Sequence, residues 1–120
     1  MEFQLSDKAK DYIARTKAFI QTEIEPIEAE FWQKAHKLNP TGDWTTWQWP
    51  AQLDQLKAKA KAQNLWNMFL PDDTLGQGLS VQEYAHIAEL SGRSLIAPHV
   101  FNCNAPDSGN MELIWRYGND

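Results

Sequence analysis

Apolar residues recur at helical spacing almost from the start of this chain. Leu5, Ala9, Tyr12, Ile13, Thr16, Phe19, Ile20 and Ile24 stand three or four apart, with charged residues between them. Ser6 occupies the place of an N-cap, and Asp7 suits the positive end of a helix dipole. The pattern predicts a helix that must kink or restart at Pro26, which has no N–H to give. Ile27, Phe31 and Trp32, with Ala35 or Leu38, carry the stripe to about Lys37. Asn39, Pro40, Thr41, Gly42 and Asp43 then form a loop by their turn chemistry.

The second half repeats the pattern in shorter pieces. Pro50 suits the first turn of a helix over 51–63, whose inner face is Leu53, Leu56 and Ala60. The apolar run Leu65, Trp66, Met68, Phe69, Leu70 ends at Pro71 and fits a buried loop, a helical turn or a brief strand equally well. Residues 72–78 read as loop. Ser80 and Glu83 have capping-box spacing, so a helix over 81–91 follows, with Val81, Tyr84, Ala85, Ile87, Ala88 and Leu90 partly buried. Gly92 is expected to end it in the left-handed conformation. Pro98 opens a short helix through Cys103, and a last helix spans 107–117 with Gly118 as its stop. Asn119 or Asp120 would cap a further helix, which suggests a boundary inside a longer chain. The expectation is all-α: an antiparallel bundle of about six helices with little or no β.

Composition narrows the function classes. The chain has 120 residues, 42% of them apolar, which suits one folded domain. Its formal net charge is -5, from 11 Lys and Arg against 16 Asp and Glu. That lacks the basic footprint of a nucleic-acid binder, and the Lys57, Lys59, Lys61 cluster reads as a solvated helix face. No apolar stretch approaches a membrane span, and no basic region followed by an apolar run opens the chain. One cysteine, Cys103, cannot form an internal disulfide, so a cytoplasmic location is expected. Six tryptophans, three of them at Trp44, Trp47 and Trp49, are more aromatic surface than a lone domain needs. Some of it suits a neighbour, and self-association is expected.

No assembled active site is visible. His36, His86 and His99 lack zinc spacing, and His86 with Glu89 is one pair where a di-iron bundle needs two. No metal is expected. Cys103 could pair with His99 four residues upstream, but a buried structural thiol is the plainer reading. Glu23, Glu25, Glu28 and Glu30 read as a solvated face beside Pro26. Gly76 and Gly78 lack the third glycine of a dinucleotide fingerprint. The stretch from Pro98 to Met111 stands apart. It sets Asn102, Asn104, Asp107, Ser108 and Asn110 beside Val100, Phe101 and Met111. That mixture suits a lined pocket, or equally a tight helix contact with Asn104 and Asp107 as caps.

These residues carry a resemblance. Leu65-Trp66-Asn67-Met68-Phe69-Leu70-Pro71, Glu83-Tyr84-Ala85, Gly92-Arg93-Ser94, Val100-Phe101-Asn102-Cys103 and Ala105-Pro106-Asp107-Ser108-Gly109-Asn110-Met111-Glu112 resemble the N-terminal helical domain of acyl-CoA dehydrogenases. They look most like the branch acting on longer or hydroxylated acyl-CoAs. The resemblance covers nearly the whole chain, though the part before Trp44 matches only as a helix pattern. It implies that residues 1–120 are that N-terminal domain, with a middle β domain and a C-terminal helical bundle absent. The full enzyme would use FAD and a glutamate base in the C-terminal bundle to convert acyl-CoA to 2-enoyl-CoA. Its partners would be acyl-CoA and electron-transfer flavoprotein or another acceptor, and it would be a homo-oligomer. By the resemblance, Val100, Phe101, Asn104, Ser108 and Met111 lie near the acyl end of the substrate. No catalytic residue and no bound cofactor are expected in this chain alone. A helical interaction module without enzymatic activity is the alternative reading.

Overall fold

A computed structural model describes residues 3–119. Its regular structure is helical throughout, with six α-helices, one π-helical turn and one 3-10 turn, and no strand among the described residues. Helix α1 spans Asp7–Phe19, and its cap is the expected one: the Ser6 hydroxyl accepts from the Ala9 N–H at 3.1 Å. The stripe faces inward as its spacing requires. Ala9, Tyr12, Thr16, Phe19, Ile20 and Ile24 are buried, and Leu5 and Ile13 pack against the same core.

The break at Pro26 has two parts. Over Ile20–Ile24 the helix widens to π geometry, and the Glu25 N–H reaches the Ile20 carbonyl at 2.9 Å. Pro26 has no N–H for the next rung and its ring crowds the carbonyl four residues back, so a looser turn before it relieves that crowding. Helix α2 restarts over Glu28–Leu38 and buries Phe31 and Ala35, whereas Leu38 is exposed.

Helix α3 (Gln52–Ala62) turns Leu53, Leu56 and Ala60 inward, behind a buried Pro50. The run after it resolves as a buried loop: Leu65, Met68 and Leu70 have almost no exposure and belong to no regular element. Helix α4 (Val81–Ser91) has the full capping box between Ser80 and Glu83. Its inward face is narrower than the pattern suggests. Ile87 is buried and Tyr84 and Leu90 are half-buried, but Val81, Ala85 and Ala88 face outward. Gly92 is also not left-handed; at φ -65° it stays in the helical region and closes the last turn onto the Ala88 carbonyl. Helix α5 is a single turn, Ala97–Val100, shorter than expected because Phe101 and Asn102 leave the helical path. Helix α6 spans Asp107–Tyr117, as expected, and contains no buried residue.

Packing joins α1 to α4, and α5 to α3 and α4, around one cluster that includes Phe19, Phe31, Leu65, Met68, Ile96 and Phe101. The radius of gyration is 15.6 Å, above the roughly 13.6 Å of a compact chain this long. An α6 with no fully buried residue contributes to that excess. Among the described residues no helix is long and apolar enough to cross a membrane. Asp120, one expected cap of a following helix, lies outside the described residues.

Candidate functional site

Two left-handed asparagines build the site. Asn67 (φ 53°) and Asn102 (φ 54°) adopt a conformation that asparagine tolerates better than other residues with a side chain. Asn67 turns the 65–71 loop so that its N–H donates to the Phe101 carbonyl at 3.1 Å. Asn102 turns the chain out of α5. Its side-chain amide donates to Asn67 Oδ1 at 2.7 Å and to the Met111 sulfur at 3.5 Å. Asn67 Nδ2 donates in turn to the Leu75 carbonyl at 3.2 Å. The loop 65–71, the loop 72–78 and the connection from α5 to α6 therefore meet at one point.

Beside this joint lies a cleft of about 450 Å³. Phe69, Leu70 and Leu75 line one side and Met111, Ile114 and Trp115 of α6 the other, with Asn67 below and Gly118 and Asn119 at one end. The lining is mostly apolar, and the Asn67 amide is engaged at both its oxygen and its nitrogen. An apolar chain fits such a surface better than a charged group does.

The residues expected at a substrate pocket divide. Met111 lines the cleft. Asn104 and Ser108 are half-buried at the N-terminal turn of α6. There the Ser108 N–H donates to the Asn104 carbonyl at 2.9 Å and Asn104 Nδ2 donates to Asp107 at 3.3 Å. Val100 and Phe101 are completely buried; Phe101 sits edge-on to Phe19, ring centroids 5.5 Å apart. Neither is among the residues that line the cleft. Asn67, Leu75, Ile114 and Trp115 were not among the expected pocket residues. The available signal was an asparagine inside each of two apolar runs, where a left-handed turn needs one.

Other candidate chemistry resolves into structure. Burial pushes the Cys103 thiol up, although the backbone N–H groups of Phe69 and Met68 and the Tyr84 hydroxyl act the other way, so it stays protonated at neutral pH. His99 faces Trp49, ring centroids 5.2 Å apart, and burial together with the Lys57 charge lowers its pKa. Three of the acidic residues near Pro26 have separate partners. Glu23 pairs with Lys59, Glu30 with Lys34 at 2.6 Å, and Glu28 accepts from the Ser94 hydroxyl and the Leu95 N–H. Among the described residues no group of three or more His, Cys, Asp or Glu is placed to hold a metal ion. Three of the tryptophans form a separate cluster: Trp49 contacts Trp32, Trp47 and Phe31, Trp32 also contacts Phe31, and Trp44 is 83% exposed.

Comparison with known proteins bears on this geometry. No family model matches the chain. Acyl-CoA dehydrogenase family member 10 of Mus musculus is 42% identical over 107 residues, covering 85% of this chain and 9% of that protein. Acyl-CoA dehydrogenase family member 11 of Gallus gallus is 40% identical over 118 residues, covering 98% of this chain and 14% of that protein. A solved structure from Mycobacterium abscessus, assigned to the acyl-CoA dehydrogenases, superposes with a TM-score of 0.85 at 49% identity, over 98% of this chain and 30% of that one. The chain thus spans less than a third of the length of each. Shared sequence along nearly all its residues and a shared helical fold place this chain in the acyl-CoA dehydrogenase family, as a match to one part of much longer members.

Proposed function

We propose that these residues are the N-terminal helical domain of a flavin-dependent acyl-CoA dehydrogenase and form one wall of its acyl-chain pocket. The observation that carries this reading is the mostly apolar cleft between α6 and the loops 65–78, in a chain related to that family along nearly its whole length. Met111 faces the acyl chain, Asn104 and Ser108 shape the end of the wall, and Val100 and Phe101 hold it from behind. The exposed Leu113, Ile114 and Tyr117 of α6 pack on parts of the enzyme outside this chain. The full protein oxidises acyl-CoA to 2-enoyl-CoA, passes electrons to electron-transfer flavoprotein or another acceptor, and is a homo-oligomer.

FAD supplies the redox chemistry in this reading, and the residues here do not suit it. The cleft lining offers no charged side chain to a pyrophosphate, and its Asn67 amide is already engaged. This chain alone contributes no base and is inactive. Flavin absorbance in the purified 120-residue chain would contradict that division of labour.

The acyl-wall role is tested in a chimera. These residues replace the matching segment of the Mycobacterium abscessus protein, and acyl-CoAs of graded length are assayed with an artificial electron acceptor. Met111→Trp narrows the cleft. It should lower kcat/KM for the longest chains by about tenfold more than for butyryl-CoA, the low end of the scale for one methylene in an apolar pocket. An equal loss at every chain length would overturn the assignment.

A further inference from the structure

We infer that Asn102 is a positioning residue: its amide sets where α6, and with it Met111, stands against the cleft. What the cleft holds rests on the acyl-wall reading above; the positioning does not.

The inference starts from what α6 lacks. A helix of 11 residues with no buried residue has little packing energy to fix its direction, and isolated helices shorter than about 12–15 residues are marginal in water. Among the described hydrogen bonds, most that involve α6 lie within it or in the turn that starts it, from Asn104 and Pro106. The bond from Asn102 to Met111 is different, since it reaches one turn into the helix from the body of the fold.

Asn102 is suited to that task. Its amide has two N–H groups, and each has its own acceptor: Asn67 Oδ1 at 2.7 Å and the Met111 sulfur at 3.5 Å. One planar group therefore fixes the distance between the 65–71 loop and α6. Its left-handed backbone aims the amide at both. The base of the joint is firm, because the Asn67 N–H is bonded to the carbonyl of the fully buried Phe101. A thioether is a weak acceptor, so the bond orients more than it stabilises.

Two variants separate orientation from support of the fold. Asn102→Gly keeps the left-handed backbone and removes the amide. Asn102→Asp keeps the shape but turns the donor into an acceptor. The chain has three methionines, Met1, Met68 and Met111, so 13C-methyl labelling yields few signals. Met68 is fully buried and its sulfur lies 3.7 Å from the Thr16 hydroxyl, which makes it the internal control for the fold. Both variants should shift or broaden the Met111 methyl signal by more than a linewidth and leave Met68 in place. A Met111 signal unchanged in both overturns the proposal. Met68 displaced in both along with Met111 also overturns it, since Asn102 would then support the core as a whole. If the glycine variant alone loses its fold, the aspartate variant decides. In the chimera, Asn102→Asp should raise KM for long-chain acyl-CoA several-fold more than KM for butyryl-CoA. A displaced Met111 with unchanged chain-length preference would leave the positioning intact and remove the acyl-wall reading instead.

Discussion

Helices α1 and α6 are close in length, 13 and 11 residues, and both carry apolar residues at helical spacing. Their fates differ. α1 buries Ala9, Tyr12, Thr16 and Phe19 against α4 and the central cluster. No residue of α6 is fully buried, and its Leu113, Ile114 and Tyr117 are 59%, 68% and 77% exposed. Periodicity marks the face of a helix that seeks apolar company; it does not say whether that company lies in the same 120 residues. The buried core lies in the body from α1 to α5, and α6 stands outside it with much of its apolar surface exposed.

The difference is open to attack from its largest consequence downward. Phe101→Ala empties a fully buried site in contact with Phe19, and should cost about 3–5 kcal/mol in urea unfolding. Gly76→Ala should cost about 1–3 kcal/mol, because a Cβ there would come within 2.1 Å of the Leu70 carbonyl oxygen. Thermal denaturation would show that loss, and a neutral result would mean the 70–76 loop gives way easily.

A smaller effect belongs to the start of α4. The Glu83 carboxylate accepts from the Ser6 hydroxyl at 2.6 Å, from the Ser80 N–H at 3.0 Å and from the Ser6 N–H at 3.3 Å, so it ties together the N-termini of α1 and α4. These bonds, that from the Ser6 hydroxyl foremost, hold its pKa down to about 2 from an ordinary 4.5. The folded-state pKa is the lower one, so the stabilisation is complete above 4.5. It is lost as the pH falls from there toward 2. Glu83→Gln should therefore flatten that part of the acid-unfolding curve, while Ser80→Ala should cost about 1 kcal/mol at neutral pH. The smallest effect is expected on α6, where Ile114→Ala should change stability by less than about 0.5 kcal/mol. A loss near that of Phe101→Ala would erase the distinction between the two regions.

Much of the body was legible in the sequence because its signals are local. Ser6 and the Ser80–Glu83 pair mark helix starts by chemistry that acts within three residues. The stripe from Leu5 to Ile24 and the face of Leu53, Leu56 and Ala60 follow from the helical period alone. The π-turn before Pro26 was not legible, since a proline signals a break without stating how the chain absorbs it. Nor was the outward turn of Val81, Ala85 and Ala88, because a broad apolar helix face does not reveal how much of it a neighbour will cover. Of the residues that the resemblance placed near the acyl chain, Met111 lines the cleft, whereas Val100 and Phe101 are fully buried. The Asn67–Asn102 joint spans 35 residues of sequence, and no local pattern reports a contact at that distance.

Amide hydrogen exchange on the 120-residue chain, read separately for α1 and α6, tests the contrast most directly. The amides of α1 should open only with the whole fold. Those of Leu113–Tyr117 should open locally and exchange at least about 100-fold faster, then become protected when the same residues stand in the chimera with the Mycobacterium abscessus protein. Protection of α6 equal to that of α1 in the isolated chain, or continued fast exchange in the chimera, would contradict the account.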